Sequence, residues 1–196
     1  MIEHELKILV IDESTERMQS MREALAQCGY VHVICAFTSE DVLERVYATN
    51  PDVILIDVES PTRDTLEQLT LIQQSRPKPV VLFTQDQKVQ TIQAAIQSGV
   101  SAYVTAGISV SEVQPAIEVA MASFRNFERL REELTAARSD LSEVKLVNRA
   151  KGVIMDQRGL TEDQAYHVMR RAAMNRKVKL ADLAREVIAL SKGKSV

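Results

Sequence analysis

The sequence predicts an α/β domain followed by an all-α end: a doubly wound, five-stranded parallel sheet, then a long coiled-coil helix and a small three-helix bundle. Three observations carry this. Short apolar runs alternate with helix-period segments through the first 120 residues. A stretch from about 109 to 158 runs almost without a helix breaker. The last fifty residues hold three brief amphipathic patterns and are basic where the rest of the chain is acidic.

The strands come first. KILVI (7–11), VHVICA (31–36), DVILID (52–57), PVVLF (79–83) and SAYVT (101–105) are near-continuously apolar, as parallel strands covered on both faces require. Helical patterns lie between them at about 14–28, 39–49, 64–75 and 87–98. Gly29 and Gly99 follow the first and last of these, where a left-handed C-terminal cap is common. Strand–helix alternation at this spacing argues for a doubly wound sheet, whose functional edge lies beyond the carboxyl ends of the strands. There the chain places Asp12 and Glu13 after the first strand, Asp57 after the third and Thr84 after the fourth. Acids gathered at one edge repel one another unless a hard cation such as Mg²⁺ neutralises them. A carboxylate so placed can also accept a phosphoryl group.

With those residues in view, 5–120 resembles the receiver domain of two-component response regulators. The resemblance implies a flavodoxin-like sheet of order 2-1-3-4-5. It implies Asp57 as candidate phosphoacceptor, Asp12 and Glu13 as acidic partners for Mg²⁺ together with Asp57, and Thr84 and Tyr103 as switch residues. The chain departs from the pattern after Tyr103. Receivers carry Lys-Pro three and four residues beyond that aromatic, whereas this chain has Ala106 and Gly107. Loss of the phosphoryl-pairing lysine fits control by protein contact better than control by phosphate.

From Ser111 onward, Pro115 falls in the early turns and no further breaker comes before Gly152. Heptads place Phe127, Leu134, Leu141 and Asn148 at a, with Leu130, Ala137 and Val144 at d. Glu133 then faces Arg138, and Asp140 faces Lys145, across a parallel homodimer. Packing of one amphipathic helix on its own domain is the plainer alternative.

The charge of the chain is split. Residues 1–144 hold 12 Lys+Arg against 22 Asp+Glu, and 145–196 hold 12 against 5, so −10 and +7 underlie the net −3. In the basic end, Ala150, Val153 and Ile154 continue the coil. Thr161 and Gln164 fit a capping box; Ala165, Met169 and Ala172 mark a second helix, and Leu180, Leu183, Ala184, Val187 and Ile188 a third. Arg149, Lys151, Tyr166, Arg170, Arg171, Arg176, Lys177 and Lys179 are left as candidate RNA contacts. Basic side chains meet phosphates and an exposed aromatic stacks a base. Gly152, costing about 1 kcal/mol against alanine, points to close approach by a helix or a ligand backbone.

Ala150-Lys151-Gly152, Met155, Gly159-Leu160, Ala165-Tyr166, Arg170, Ala172, Met174 and Leu180 resemble the ANTAR domain. The order receiver, coil, ANTAR is similar to transcription antiterminators of the AmiR/NasR type, NasT-like members above all. The resemblance implies domains at 1–120, 121–145 and 146–196. It further implies binding to paired stem-loops in the leader RNA of a nitrate- or nitrite-assimilation operon, and release by a nitrate-sensing, NasS-like protein. A DNA-binding response regulator switched at Asp57 is the alternative.

Composition narrows the rest. No apolar run approaches the roughly 18 residues of a membrane span, so a cytoplasmic location is expected. Cys28 and Cys35 read as buried free thiols, and His4, His32 and His167 are too scattered for a zinc site. No nucleophile–base pair or phosphate-binding glycine loop points to an enzyme, and no cofactor is required.

Overall fold

In the computed structural model, which describes residues 5–105 and 108–192, five parallel strands form one sheet in the order β2-β1-β3-β4-β5. The strands are β1 (Lys7–Asp12), β2 (His32–Phe37), β3 (Val53–Asp57), β4 (Val80–Phe83) and β5 (Ala102–Val104). Helices α1 (Thr15–Gln27), α2 (Val42–Thr49), α3 (Arg63–Ser75) and α4 (Val89–Gln97) connect them, and α5 (Val110–Arg158) follows β5. Every expected strand and helix is present, most with a residue or two trimmed at the ends. The order 2-1-3-4-5 is the receiver-like one.

Alternation along each buried strand explains why both faces carry helices. Ile8, Val10, Val53, Leu55, Val81 and Phe83 point to the face covered by Met18, Met21 and Leu25 of α1 and by Val113 and Ile117 of α5. Leu9, Ile11, Ile54, Ile56, Val80 and Leu82 point to the other, against Val42, Val46, Leu69, Ile72 and Ala95 of α2 to α4. Most of these side chains are almost wholly removed from water, a burial worth about 1.5–3 kcal/mol for each large aliphatic.

Local capping sets where the helices begin. Ser14, Asp41 and Thr62 each accept a backbone N–H from the first turn of α1, α2 and α3. Gly29 and Gly99 adopt positive φ just past α1 and α4, as expected. At Gly99 a Cβ would also lie 2.3 Å from Gln73 Cγ, so only glycine fits. The α2 cap was not foreseen: Asn50 takes the left-handed conformation itself, a role its short polar side chain tolerates. Pro115 lies in the second turn of α5, among the early turns expected, and one intrahelical hydrogen bond is lost there. The thiols of Cys28 and Cys35 are free but only half-buried.

The chain divides into two compact units, Met1–Glu128 and Arg129–Val196. In the second, the end of α5 packs with α6 (Glu162–Arg176) and α7 (Leu180–Lys192) around Ala150, Ile154, Ala165, Met169, Ala173, Leu183, Ala184 and Ile188. The Thr161–Gln164 capping box is present, with both reciprocal hydrogen bonds made. The third buried position of α6 is Ala173, while Ala172 is half-buried. Gly152 departs from expectation more sharply. A Cβ there would meet nothing within 4 Å, so no approach within this bundle requires it.

Candidate functional site

β1 and β3 are neighbours, and their register pairs Asp12 with Asp57 across the carboxyl edge of the sheet. The strand order reverses between these two strands, which is where such sheets open a crevice. Asp12 is fully buried and Asp57 is 8% exposed. Asp12 Oδ1 accepts the Ser14 N–H at 2.7 Å and two bonds from Arg17, Nε at 3.2 Å and Nη2 at 3.1 Å. Arg17 Nε also lies 3.4 Å from Asp57 Oδ2. Burial, and then the negative charge of Asp12, push the Asp57 carboxyl up to about 6, against the opposing pull of Arg17.

Of the three expected acids, the strand register brings Asp12 and Asp57 side by side. Glu13 adds a small repulsion to Asp57, but it follows Asp12 past the strand end and lines a separate cavity with Thr38 and Asp64. Among the described residues no three acidic, histidine or cysteine side chains form a group that could hold a metal ion. Receiver domains typically bind Mg²⁺ at this edge, and two atoms here suit it. Asp12 Oδ2 and Asp57 Oδ2 are buried and make no hydrogen bond among the described residues, which is the condition a hard cation relieves. Asp12 and Asp57 are therefore the residues that would hold the ion, whose charge would offset theirs. Arg17 was not singled out from sequence. Its signal is its place one turn into a helix capped by Ser14, which turns its side chain back onto Asp12.

Beside the pair, a cavity of about 260 Å³ is lined by Arg17, Ser20, Asp57, Thr84, Gln85 and Ile108. Thr84 is buried, and its hydroxyl donates to the Glu59 carbonyl at 2.8 Å. The Tyr103 hydroxyl donates to the Asp86 carbonyl at 2.7 Å, and the Asp86 N–H donates to Thr84 Oγ1 at 3.2 Å. The two expected switch residues are thus linked through Asp86, which sequence reasoning missed. The Asp86 carboxylate accepts from Lys88 N–H and from the hydroxyls of Ser60 and Thr91, and the first two lead in holding its pKa below the usual range. Burial raises that of Tyr103. Ala106 and Gly107 lie outside the described residues.

The coil positions and the basic end are placed quite differently. Phe127, Leu130, Leu134, Leu141 and Val144 are all more than half exposed on α5, and Ala137 is exposed with them. In the basic bundle, two of the eight candidate RNA contacts are committed elsewhere. Lys151 is only 14% exposed and its Nζ donates to Glu162 Oε1 at 2.6 Å. Arg176 makes a two-pronged pair with Glu186, at 2.5 and 3.1 Å. Arg149, Tyr166, Arg170, Arg171, Lys177 and Lys179 are exposed, and among the described residues these five cations form no ion pair. Tyr166 and Arg170 are one helical turn apart on α6 and share a face. Met174, 68% exposed, continues that stripe toward Lys177, which closes the helix in the left-handed conformation.

Residues 8–118 match the family described as response regulator receiver domain, and residues 135–188 match the ANTAR domain. Transcriptional regulatory protein PdtaR of Mycobacterium tuberculosis is 30% identical over 182 residues, spanning 93% of this chain and 89% of PdtaR. Among solved structures, the fold is similar to a pilus assembly-related protein from Burkholderia pseudomallei (TM-score 0.56, 19% identity, 63% of this chain and 94% of that one). It is also similar to the chemotaxis response regulator CheY4 of Vibrio cholerae (TM-score 0.52, 19% identity, 59% and 98%).

Proposed function

The chain belongs to the response regulators that join a receiver domain to an ANTAR domain, and from that membership we propose that it is an RNA-binding transcription antiterminator. The observation that carries the reading is the exposed surface of the C-terminal bundle, where Tyr166, Arg170, Arg171, Lys177 and Lys179 have no acidic partner among the described residues. Cations of this kind meet the phosphate backbone, and the tyrosine offers a stacking surface for an unpaired base. Lys151 and Arg176, held in ion pairs, serve the bundle's own architecture instead. Arg149 extends the cationic surface along α5.

The division into 1–120 as control, 121–145 as coil and 146–196 as output belongs to the same proposal. Five large apolar side chains exposed along one heptad seam are covered when two copies associate in parallel, giving a homodimer that presents two bundles to paired stem-loops. Control falls to a partner protein rather than mainly to phosphorylation of Asp57, since Ala106 stands where receivers carry their phosphoryl-binding lysine. On the sequence resemblance, the operon is one of nitrate or nitrite assimilation, the partner a nitrate sensor, and the setting the cytoplasm. Among the described residues no helix is long and apolar enough to cross a membrane.

The test is a comparison of full-length chain binding to an RNA of two consecutive short hairpins and to duplex DNA of equal length, at matched salt. We expect the RNA to bind at least about 10-fold more tightly. Tighter binding to the duplex would replace this reading with a DNA-binding one. The nitrate assignment is tested by adding nitrate to the chain bound to a candidate sensor; retention of the complex contradicts it.

A further inference from the structure

Two buried carboxylates on adjacent strands need positive charge, and the crevice at the sheet edge already contains some. Arg17 reaches it from the first turn of α1, with Nε and Nη2 on Asp12 Oδ1 and Nε 3.4 Å from Asp57 Oδ2. Its guanidinium is permanently charged, so it halves the net charge of the ionised pair without any bound ion. The side chain is 32% exposed and borders the 260 Å³ cavity beside Asp57, so it has room to swing clear by turning about its own bonds.

A divalent cation would use the same charge. Mg²⁺ takes oxygen ligands at close to 2.1 Å and retains several waters. A guanidinium nitrogen 3.4 Å from Asp57 Oδ2 repels a dication placed on that oxygen, so the two cations compete for the same carboxylates. Asp12 Oδ2 and Asp57 Oδ2 keep free ligand capacity, but Glu13 is not gathered to supply a third carboxylate. We propose that Arg17 is the resident counterion of the Asp12–Asp57 pair, and that a divalent cation occupies these carboxylates only by displacing it from Asp57. The receiver unit is then complete without metal, and Arg17 position, read at the cavity wall, reports metal occupancy. The proposal is independent of the RNA-binding reading.

The experiment follows thermal unfolding of the full chain across a MgCl₂ series, with EDTA as the zero point, for the wild type, Arg17→Gln, Asp57→Asn and the combined variant. Binding to the folded state raises Tm in proportion to the logarithm of cation over Kd. In Arg17→Gln the rise is expected to begin at Mg²⁺ concentrations lower by about 10-fold, and Asp57→Asn is expected to flatten it in both backgrounds. Arg17→Lys, which keeps a charge without the planar fork, is expected to fall between. An Arg17→Gln chain unfolded in EDTA is expected to be refolded by Mg²⁺. An unchanged or weaker Mg²⁺ response in Arg17→Gln overturns the proposal, as does a response that survives Asp57→Asn or a variant that Mg²⁺ fails to refold.

Discussion

The two compact units are cored by different residues, and the contrast explains how each places its candidate residues. The sheet unit buries Phe83, Ile8, Leu9, Ile11, Leu55, Leu69, Ile72 and Leu82 almost completely. The C-terminal bundle closes around Ala150, Ala165, Ala173 and Ala184, with Ile154, Met169, Leu183 and Ile188 as its larger members. Large aliphatics give the sheet enough buried area to keep two like-charged acids in a crevice. Alanines let three helices approach closely but contribute little area each, so the bundle leans on the end of α5 for its third helix. One unit holds its candidate residues inside; the other displays them outside.

The largest effect is expected at the coil that α5 brings to the bundle. Leu134→Asp with Leu141→Asp removes two seam residues that are exposed within one chain. The pair should convert a dimer to a monomer at tens of micromolar in sedimentation, and weaken RNA binding by about 100-fold through loss of bivalency. Next in size is Ala184→Leu, which forces extra volume into a fully buried alanine site. It should destabilise the bundle by about 3 kcal/mol, lowering its calorimetric transition while that of the sheet unit stays put.

A smaller, opposite effect is expected in the sheet unit. Asp57 ionises at about 6 in the fold against an ordinary 3.8, so folding favours its protonated form. Its stabilising contribution is full below pH 3.8 and is lost as pH rises through 6. Asp57→Asn, which cannot ionise, should therefore stabilise the metal-free protein by about 2 kcal/mol at pH 7.5, with the gain shrinking at pH 5. Equal effects at both pH values would mean that Asp57 carries no such burden.

The sheet unit was legible in the sequence because its signals are local. Apolar runs name strands, and acids at the ends of β1 and β3 name the crevice. What escaped notice depends on where side chains turn once the chain is folded. Glu13 sits next to Asp12 in sequence yet points into another cavity, and Arg17 joins the acids only because Ser14 starts a helix there. In the bundle, composition found the basic surface but could not divide it. The partners of Lys151 and Arg176 lie 11 and 10 residues away on neighbouring helices, at separations that helix periodicity does not flag. Lys177 closing α6 in place of a glycine gave no local signal at all.

In the proposed function, Arg170 and Arg171 of α6 meet an RNA backbone. The most direct measurement is RNA affinity of the full chain as a function of salt, for the wild type and for Arg170→Ala with Arg171→Ala. If both arginines meet phosphates, the slope of log K against log salt should fall by about 1–2 and affinity should drop in step. A double variant whose slope and affinity match the wild type would contradict the account.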